Sequence, residues 1–303
     1  MSVTVADDRL HAPAPDDPAF RDAVTFAFGD PAAKLYGLAR ISHGAGGPNG
    51  LAVLYADRQP VAAGAGGGVA HGEPPAWEDV TAAGVRVSVQ RPLEAWTVTY
   101  EGPDGAFHLR FEACSAPAVL DPESPVAVAG GMEGYDQLCR VAGTVRHGGR
   151  THQVRCLGQR GQLWGRPDWG RIELARSVSA WLGDDRALTL TAVRPAKSKG
   201  HLDEAVAGFV FEAGEPVEVS DPRLSTTYDA EHHQRRAGLE LWMDEEGDVA
   251  RRAAGEVLCG TTLELGDQRL DSAFFAWRME GREGVGRYDV LRRVNGTGRR
   301  RSR

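Results

Sequence analysis

Apolar and polar residues alternate along several segments of this chain, and this pattern constrains the fold more than any other feature. The clearest examples are residues 85–90, 96–101 and 107–112. Successive side chains of a β-strand point to opposite faces, so a period of two predicts strands with one buried and one solvated face. Residues 102–105, a Gly-Pro-Asp-Gly sequence, have the composition of a hairpin turn. Many such strands separated by turns predict an all-β protein of antiparallel barrels or sandwiches.

Similar segments recur in the two halves of the chain. Residues 39–42 resemble residues 175–178, and residues 96–101 resemble residues 224–229. A chain of 303 residues with 42% hydrophobic content can bury two cores of medium size. We therefore predict two tandem β-domains related by internal duplication.

Prolines between residues 117 and 125 interrupt any strand and indicate the boundary between these halves. The expected domains are residues 18–125 and 126–295. Residues 1–17 and 296–303 are polar and are expected to be flexible tails.

Composition excludes several classes of partner. The formal net charge is −7, which gives no basic field for nucleic acid. No stretch approaches the roughly 20 apolar residues of a membrane-spanning helix, so stable membrane insertion is not expected. The N-terminus lacks the apolar core of a secretory signal, and the four cysteines have neither Cys-x-x-Cys nor zinc-ligand spacing. These features predict a cytoplasmic protein with free thiols and no metal or cofactor, and they leave the oligomeric state open.

The densest group of Trp, Gly and Arg residues lies at positions 158–170. Trp164 and Trp169 bracket Arg166 and Asp168, and the glycines around them permit close backbone approach. Together with Arg160, these side chains could line a pocket with a few polar anchors for a small molecule. In the alternative interpretation the tryptophans pack on the sheet and Arg166 pairs with Asp168.

This segment resembles the lipocalin-like two-domain family that includes carotenoid 1,2-hydratase (hydroxyneurosporene synthase) and the AttH-like proteins. In that family a Gly-rich stretch leads into Asp-His-Ser/Asn-Trp-Gly, and residues 164–165 match its last two positions. The resemblance covers most of residues 39–293 and implies two lipocalin-like barrels that bind an apolar, isoprenoid- or lipid-like molecule. The Asp and His of the motif are replaced by Gly161 and Gln162, and the next position is Leu163. Gly161 cannot protonate an alkene carbon, and Gln162 cannot titrate.

Two functions remain open. The first is a hydratase-like lyase or an isomerase, with Asp168 as proton donor, Gln162 orienting the substrate, and Trp164 and Trp169 as walls or cation stabilisers. His152 is a further candidate donor, although its strand position also suits a core histidine. The second is a non-catalytic carrier or structural protein that has lost the acid pair.

The second half of the chain contributes one candidate ligand contact, Tyr228. The loop after it contains Asp229, Glu231, His232 and His233, which could bind a metal or transfer protons. A solvated loop is the preferred interpretation, and no metal site is predicted.

Overall fold

The structure of the chain, a computed structural model, describes residues 3–11, 17–73, 75–198, 203–244 and 249–294. Within these residues the chain forms two antiparallel sheets, one of eleven strands and one of nine. The expected tail at residues 296–303 lies outside the described residues. Among the described residues, no helix has the length and apolar character needed to cross a membrane.

The first sheet closes into a barrel. Its strands follow the order β11-β1-β2-β3-β4-β5-β6-β7-β8-β10, and β10 also pairs with β11, which joins the two ends into a ring of ten strands. The short β9 pairs with β10 outside this ring. The strands are β1 (Arg21–Asp30), β2 (Leu35–Gly44), β3 (Asn49–Ala56), β4 (Gln59–Ala70), β5 (Val80–Ala82), β6 (Val85–Arg91), β7 (Ala95–Glu101), β8 (Gly105–Ala113), β9 (Ala118–Leu120), β10 (Met132–His147) and β11 (Arg150–Gly165).

The second sheet curls into a half-barrel and stays open. Its order is β15-β14-β13-β12-β20-β19-β18-β17-β16. The strands are β12 (Ile172–Trp181), β13 (Arg186–Pro195), β14 (Ala205–Glu212), β15 (Glu215–Glu218), β16 (Asp221–Tyr228), β17 (Gln234–Trp242), β18 (Arg251–Leu265), β19 (Gln268–Met279) and β20 (Arg282–Arg293). The predicted all-β class with antiparallel barrels is confirmed.

The chain passes from one sheet to the other between Gly165 and Ile172, later than the boundary expected at 125/126. Residues 132–165 form the long β10–β11 hairpin that closes the first barrel. The prolines lie in the connection before this hairpin, where Ser124 caps helix α1 (Pro125–Gly130) and Pro125 occupies its first turn. They therefore end the short β9 and begin a helix, and the sheet continues beyond them.

The two sheets pack through an apolar interface. The outer face of β1–β3 contributes Tyr36, Leu38, Val53 and Tyr55, which meet Trp181, Phe211, Phe274 and Val285 of the second sheet. The Tyr55 hydroxyl donates to the backbone carbonyl of Ser272 across this interface, at 3.1 Å. The inner face of the first barrel is a separate core that includes Phe26, Phe28, Trp77, Trp96 and Phe111. The first sheet therefore has apolar side chains on both faces over β1–β3.

The resemblance between the halves holds for one segment pair and fails for the other. Trp96 packs in the core inside the first barrel, and Leu224 packs against the corresponding core of the second sheet. Ala39, however, lies in the interior of the first barrel, whereas its counterpart Ala175 packs on the outer face of the second sheet with Val193. A one-residue slip turns every side chain to the opposite face, so residues 39 and 175 do not align structurally. Internal duplication stays a prediction.

The N-terminal segment differs from the expected flexible tail. Asp8 is buried in the first barrel, only 1% exposed, and its carboxylate accepts a hydrogen bond from the indole Nε1 of Trp96 at 3.1 Å. Leu10 packs against the same core. Residues 3–11 therefore close one end of the barrel as an N-terminal plug, because the barrel interior supplies hydrogen-bond donors to Asp8 that composition does not reveal.

Candidate functional site

Strand β11 carries the motif residues, and its alternation separates them onto two faces. Arg160 and Gln162 are fully buried and point into the first barrel, toward the N-terminal plug. Gly161 and Leu163 face the second sheet. The residues of the motif therefore face two different environments, one inside the barrel and one between the sheets. Each environment contains carboxyl groups of its own.

Asp8 and Arg160 form the centre of the environment inside the barrel. The Arg160 guanidinium donates to Oδ1 of Asp8 and lies 4.6 Å from the centroid of the Trp96 ring. Oδ1 also accepts from the Tyr135 hydroxyl at 2.5 Å, while Oδ2 accepts from the Leu93 backbone at 2.5 Å and from Trp96. Each carboxylate oxygen thus accepts two hydrogen bonds, which is its full capacity. This saturation identifies Asp8 as the anchor of the plug.

His11 and Asp22 form a second pair beside Gln162. The His11 ring nitrogen Nδ1 lies 2.9 Å from Oδ2 of Asp22, and Gln162 Nε2 donates to the same oxygen at 3.0 Å. The ring of Trp164 lies against His11, with centroids 4.5 Å apart. Asp22 is buried, whereas 27% of the His11 side chain is exposed.

The two members of this pair influence each other's protonation. Burial raises the pKa of Asp22, and the hydrogen bonds from His11 only partly oppose this. Burial lowers the pKa of His11, but the hydrogen bond to Asp22 and its charge outweigh burial, so the pKa of His11 is raised overall. The Asp22 carboxylate also accepts from the His11 backbone at 2.8 Å. The pair therefore fastens the end of the plug and can hold a proton at the barrel rim.

The other face of β11 meets a carboxyl group in different surroundings. Asp136 lies directly opposite Gly161 in the β10–β11 ladder, and a Cβ at position 161 would clash with Oδ1 of Asp136. Thr189 of the second sheet donates from its hydroxyl to Oδ2 of Asp136 at 2.9 Å. The Asp136 carboxyl group thus occupies the space that a side chain at position 161 would fill.

Asp136 lines a small crevice between the sheets, with a volume of about 20 Å³. This is room for a single water molecule. Burial raises the pKa of Asp136, and the charge of Arg287 and the hydrogen bond from Thr189 only partly oppose it. The crevice is lined mainly by apolar side chains, which include Leu120, Leu163, Leu190, Ala207 and Phe209. A carboxyl group with a raised pKa beside apolar walls has the properties of a general acid.

The remaining residues singled out from the sequence lie apart from this crevice. Asp168 is exposed and accepts a hydrogen bond from the Gly170 backbone at 2.9 Å, in a turn. Arg166 is exposed and pairs with Asp17 at 2.6 Å, not with Asp168. Trp169 packs on the small cluster around Val126 and Ile172. The structure thus separates these three side chains from Arg160, Gln162 and Trp164.

His152 and Tyr228 are also separate from the other candidates. His152 lies near the opposite end of β11 and stacks on His147, with ring centroids 4.9 Å apart. Tyr228 belongs to the second sheet, where the Arg292 guanidinium lies 5.7 Å from its ring centroid. The nearby Asp229, Glu231 and His233 offer ligand atoms within 4.8 Å of one another.

A larger hollow of about 900 Å³ opens on the second sheet, over Leu239 and Met279. Its carboxylates, Glu240, Glu280 and Glu283, are exposed or half-buried. It therefore lacks the desolvated acid that distinguishes the inter-sheet crevice.

Sequence reasoning missed Asp136, because no alternating pattern surrounds it at the start of β10. It also missed Arg40, for which a signal exists. Residues 35–41 are apolar or glycine except for Arg40, and a charge inside a buried strand requires a partner. The same argument applies to Arg287 and Asp289, which alternate with buried apolar residues in β20.

The two packed sheets form a lipocalin-like fold, and the resemblance predicted from the motif is confirmed at the level of fold. The chain belongs to the family described as a domain of unknown function, DUF7064, whose model matches residues 4–294. No curated protein matches the sequence.

Three solved structures illustrate the similarity of fold. CghA with Sch210972 has a TM-score of 0.64 at 10% identity, over 91% of this chain and 89% of that one. A candidate AttH, NE1406 from Nitrosomonas europaea, has a TM-score of 0.64 at 12% identity, over 89% and 91%. Kievitone hydratase from Nectria haematococca has a TM-score of 0.62 at 8% identity, over 90% and 88%. At these identities the likeness shows the fold alone.

Proposed function

We propose that the crevice between the sheets binds an apolar small molecule and that Asp136 acts on it as a general acid, in hydratase- or isomerase-type chemistry. The observation that carries this proposal is the raised pKa of Asp136 beside apolar walls. The apolar, isoprenoid- or lipid-like character of the ligand rests on the side chains of Leu163 and Phe209. A cytoplasmic location is part of the proposal, supported by four free cysteines.

The chemistry requires one proton transfer to carbon. The O–H bond of protonated Asp136 breaks as a C–H bond forms with the electron pair of an alkene, which leaves a carbocation and a carboxylate. Addition of water to the cation, with loss of a proton to the carboxylate, gives hydration. Loss of a neighbouring C–H proton to the carboxylate gives isomerisation. An apolar site favours the neutral carboxyl group before the step, which raises the fraction of Asp136 that can act as an acid.

The crevice must widen to admit a ligand larger than water. Its most weakly held wall is β9, which has three residues and pairs only with β10. Ala118 and Leu120 of this strand line the crevice. Displacement of β9 would therefore open the site while leaving the ten-strand barrel closed.

The experiment compares Asp136→Asn with Asp168→Asn. The protein is purified from its own host, bound small molecules are extracted and identified, and each alkene found is incubated with the protein in D₂O. Protonation at carbon adds deuterium to the product, which mass spectrometry detects. We expect Asp136→Asn to abolish deuterium incorporation while keeping the ligand, because the amide preserves the shape of the carboxyl group but does not titrate.

Asp168→Asn is the control and should keep full incorporation, because Asp168 is exposed. Loss of incorporation in Asp168→Asn alone would refute the assignment of Asp136. A ligand that co-purifies but never exchanges with solvent deuterium would favour the second candidate, a carrier, which the Gly161 and Gln162 replacements in the motif support.

A further inference from the structure

Two guanidinium groups between the sheets make few hydrogen bonds. Arg287 of β20 is only 9% exposed, its Nε atom has no hydrogen-bond partner, and its side chain makes one ion pair, with Asp289 at 3.4 Å. Arg40 of β2 donates one hydrogen bond, from Nη1 to the Thr25 hydroxyl at 2.8 Å. A guanidinium carries five N–H donors, so most donors of this pair have no partner among the described residues.

Both arginines lie between the two sheets in the same layer of polar side chains as Asp136. We call this the polar layer and define it by Arg40, Thr25, Asp136, Thr189 and Arg287. In the first sheet, Arg40, Thr25, Gly161 and Asp136 are successive cross-strand neighbours in one row. Neighbouring strands are about 4.8 Å apart, so this row spans about 14 Å.

The facing row of the second sheet brings Arg287 to the same layer. Thr189, which donates to Asp136, pairs with Ser179, and the Ser179 hydroxyl accepts from the Arg287 backbone at 3.3 Å. Burial and the charge of Arg287 lower the pKa of Arg40 to about 10. The charge of Arg287 also acts on Asp136. The charge of Arg287 therefore influences the protonation of both Arg40 and Asp136.

The polar layer carries an excess of positive charge. Burial raises the pKa of Asp136, which favours its neutral form, so the Asp289 carboxylate, which pairs with Arg287, balances only one of the two arginines. The guanidinium group of an arginine carries a positive charge in proteins. Two cations between the sheets with unused donors attract an anion, and the planar guanidinium suits a carboxylate in particular.

We propose that Arg40 and Arg287 bind a carboxylate of the molecule on which Asp136 acts. This inference rests on the proposed function and narrows its substrate class from apolar molecules in general to apolar carboxylic acids. A bound carboxylate would also offset the charge of Arg287, and so favour the protonated form of Asp136 when substrate is present.

The test measures binding of farnesoic acid and farnesol by isothermal titration calorimetry. These probes share one C15 isoprenoid chain and differ only in the head group. We expect the unchanged protein to bind farnesoic acid about tenfold more tightly than farnesol, a difference of about 1.4 kcal/mol. Arg40→Gln and Arg287→Gln should each remove this preference and leave farnesol affinity unchanged.

Arg278→Gln is the matched control, because Arg278 is an exposed arginine in the hollow of the second sheet. It should keep the preference. Arg287→Lys retains the charge and should retain part of the preference, which keeps the test informative if Arg287→Gln does not fold. Equal affinity for both probes in the unchanged protein would overturn the carboxylate inference and leave the apolar site standing. Failure of both probes to bind would overturn the isoprenoid-like ligand of the proposed function as well.

Discussion

Replacement of Asp8 by Ala should destabilise the protein strongly, although Asp8 lies only a few residues from the N-terminus. The Asp8–Arg160 ion pair is buried, with side-chain exposures of 0% and 2%. Removing one partner of a buried pair leaves the other charge without compensation, which costs about 3–5 kcal/mol. Tyr135 and Trp96 lose their acceptor as well. Water that enters as the plug detaches will reduce the loss, so we expect about 4 kcal/mol.

The assay is thermal unfolding followed by calorimetry, together with hydrogen exchange of residues 3–11. For a chain of this size the predicted loss lowers the Tm by about 6 °C. Exchange over residues 3–11 should become fast in Asp8→Ala, because the anchor of the plug is gone.

Asp7→Asn is the matched control on the same segment. The Asp7 side chain is half-buried at the surface, and its carboxylate accepts hydrogen bonds from the Thr4 backbone and hydroxyl at 2.7 Å. Its replacement should change stability by less than about 0.5 kcal/mol. A double variant, Asp8→Leu with Arg160→Met, removes both charges and should recover most of the loss. If Asp8→Ala loses no more stability than Asp7→Asn, the plug is not anchored as described.

Two further predictions concern the rim and the crevice. The pKa of His11 is raised above 6.5 by Asp22, so its stabilisation is fully present below pH 6.5 and is lost as pH rises through the raised value. The Tm difference between the unchanged protein and His11→Gln should therefore be larger at about pH 5.5 than at about pH 8.5, and an equal difference would contradict the pairing. Gly161→Ala should cost about 1–3 kcal/mol and displace the Asp136 carboxyl group, because the added Cβ has no space. Gly46→Ala, with no atom within 4 Å of the added Cβ, should leave unfolding unchanged, and similar values for both variants would refute this account.

The local pattern was sufficient to predict several strands. Residues 85–90, 96–101 and 107–112 correspond to β6, β7 and β8, which pair in that order. Each is amphipathic, and short turns join β6 to β7 and β7 to β8, so these neighbours in sequence are neighbours in space. The resemblance of the motif to AttH-like proteins also predicted the lipocalin-like fold. Its Trp-Gly pair lies at the end of β11, the strand that completes the barrel.

The candidate site was only partly accessible to this reasoning. Of the residues that the sequence placed in one pocket, Arg160, Gln162 and Trp164 share one face of β11. The direction of that face could not be foreseen, because it depends on β10 and on the N-terminal plug. Asp168 had the right chemistry for an acid but lies in an exposed turn.

The amino-acid pattern determined the all-β class, the hairpins of the first barrel and the position of the motif, because these depend on alternation and turn chemistry within short stretches. The three-dimensional arrangement decided which side chains share a site. Asp136 meets the open space at Gly161 through strand register, and it meets Thr189 through the packing of one sheet on the other. Both are contacts between residues distant in sequence, and a shift of register by one residue would have turned Asp136 to the opposite face. Desolvation of its carboxyl group follows from this packing.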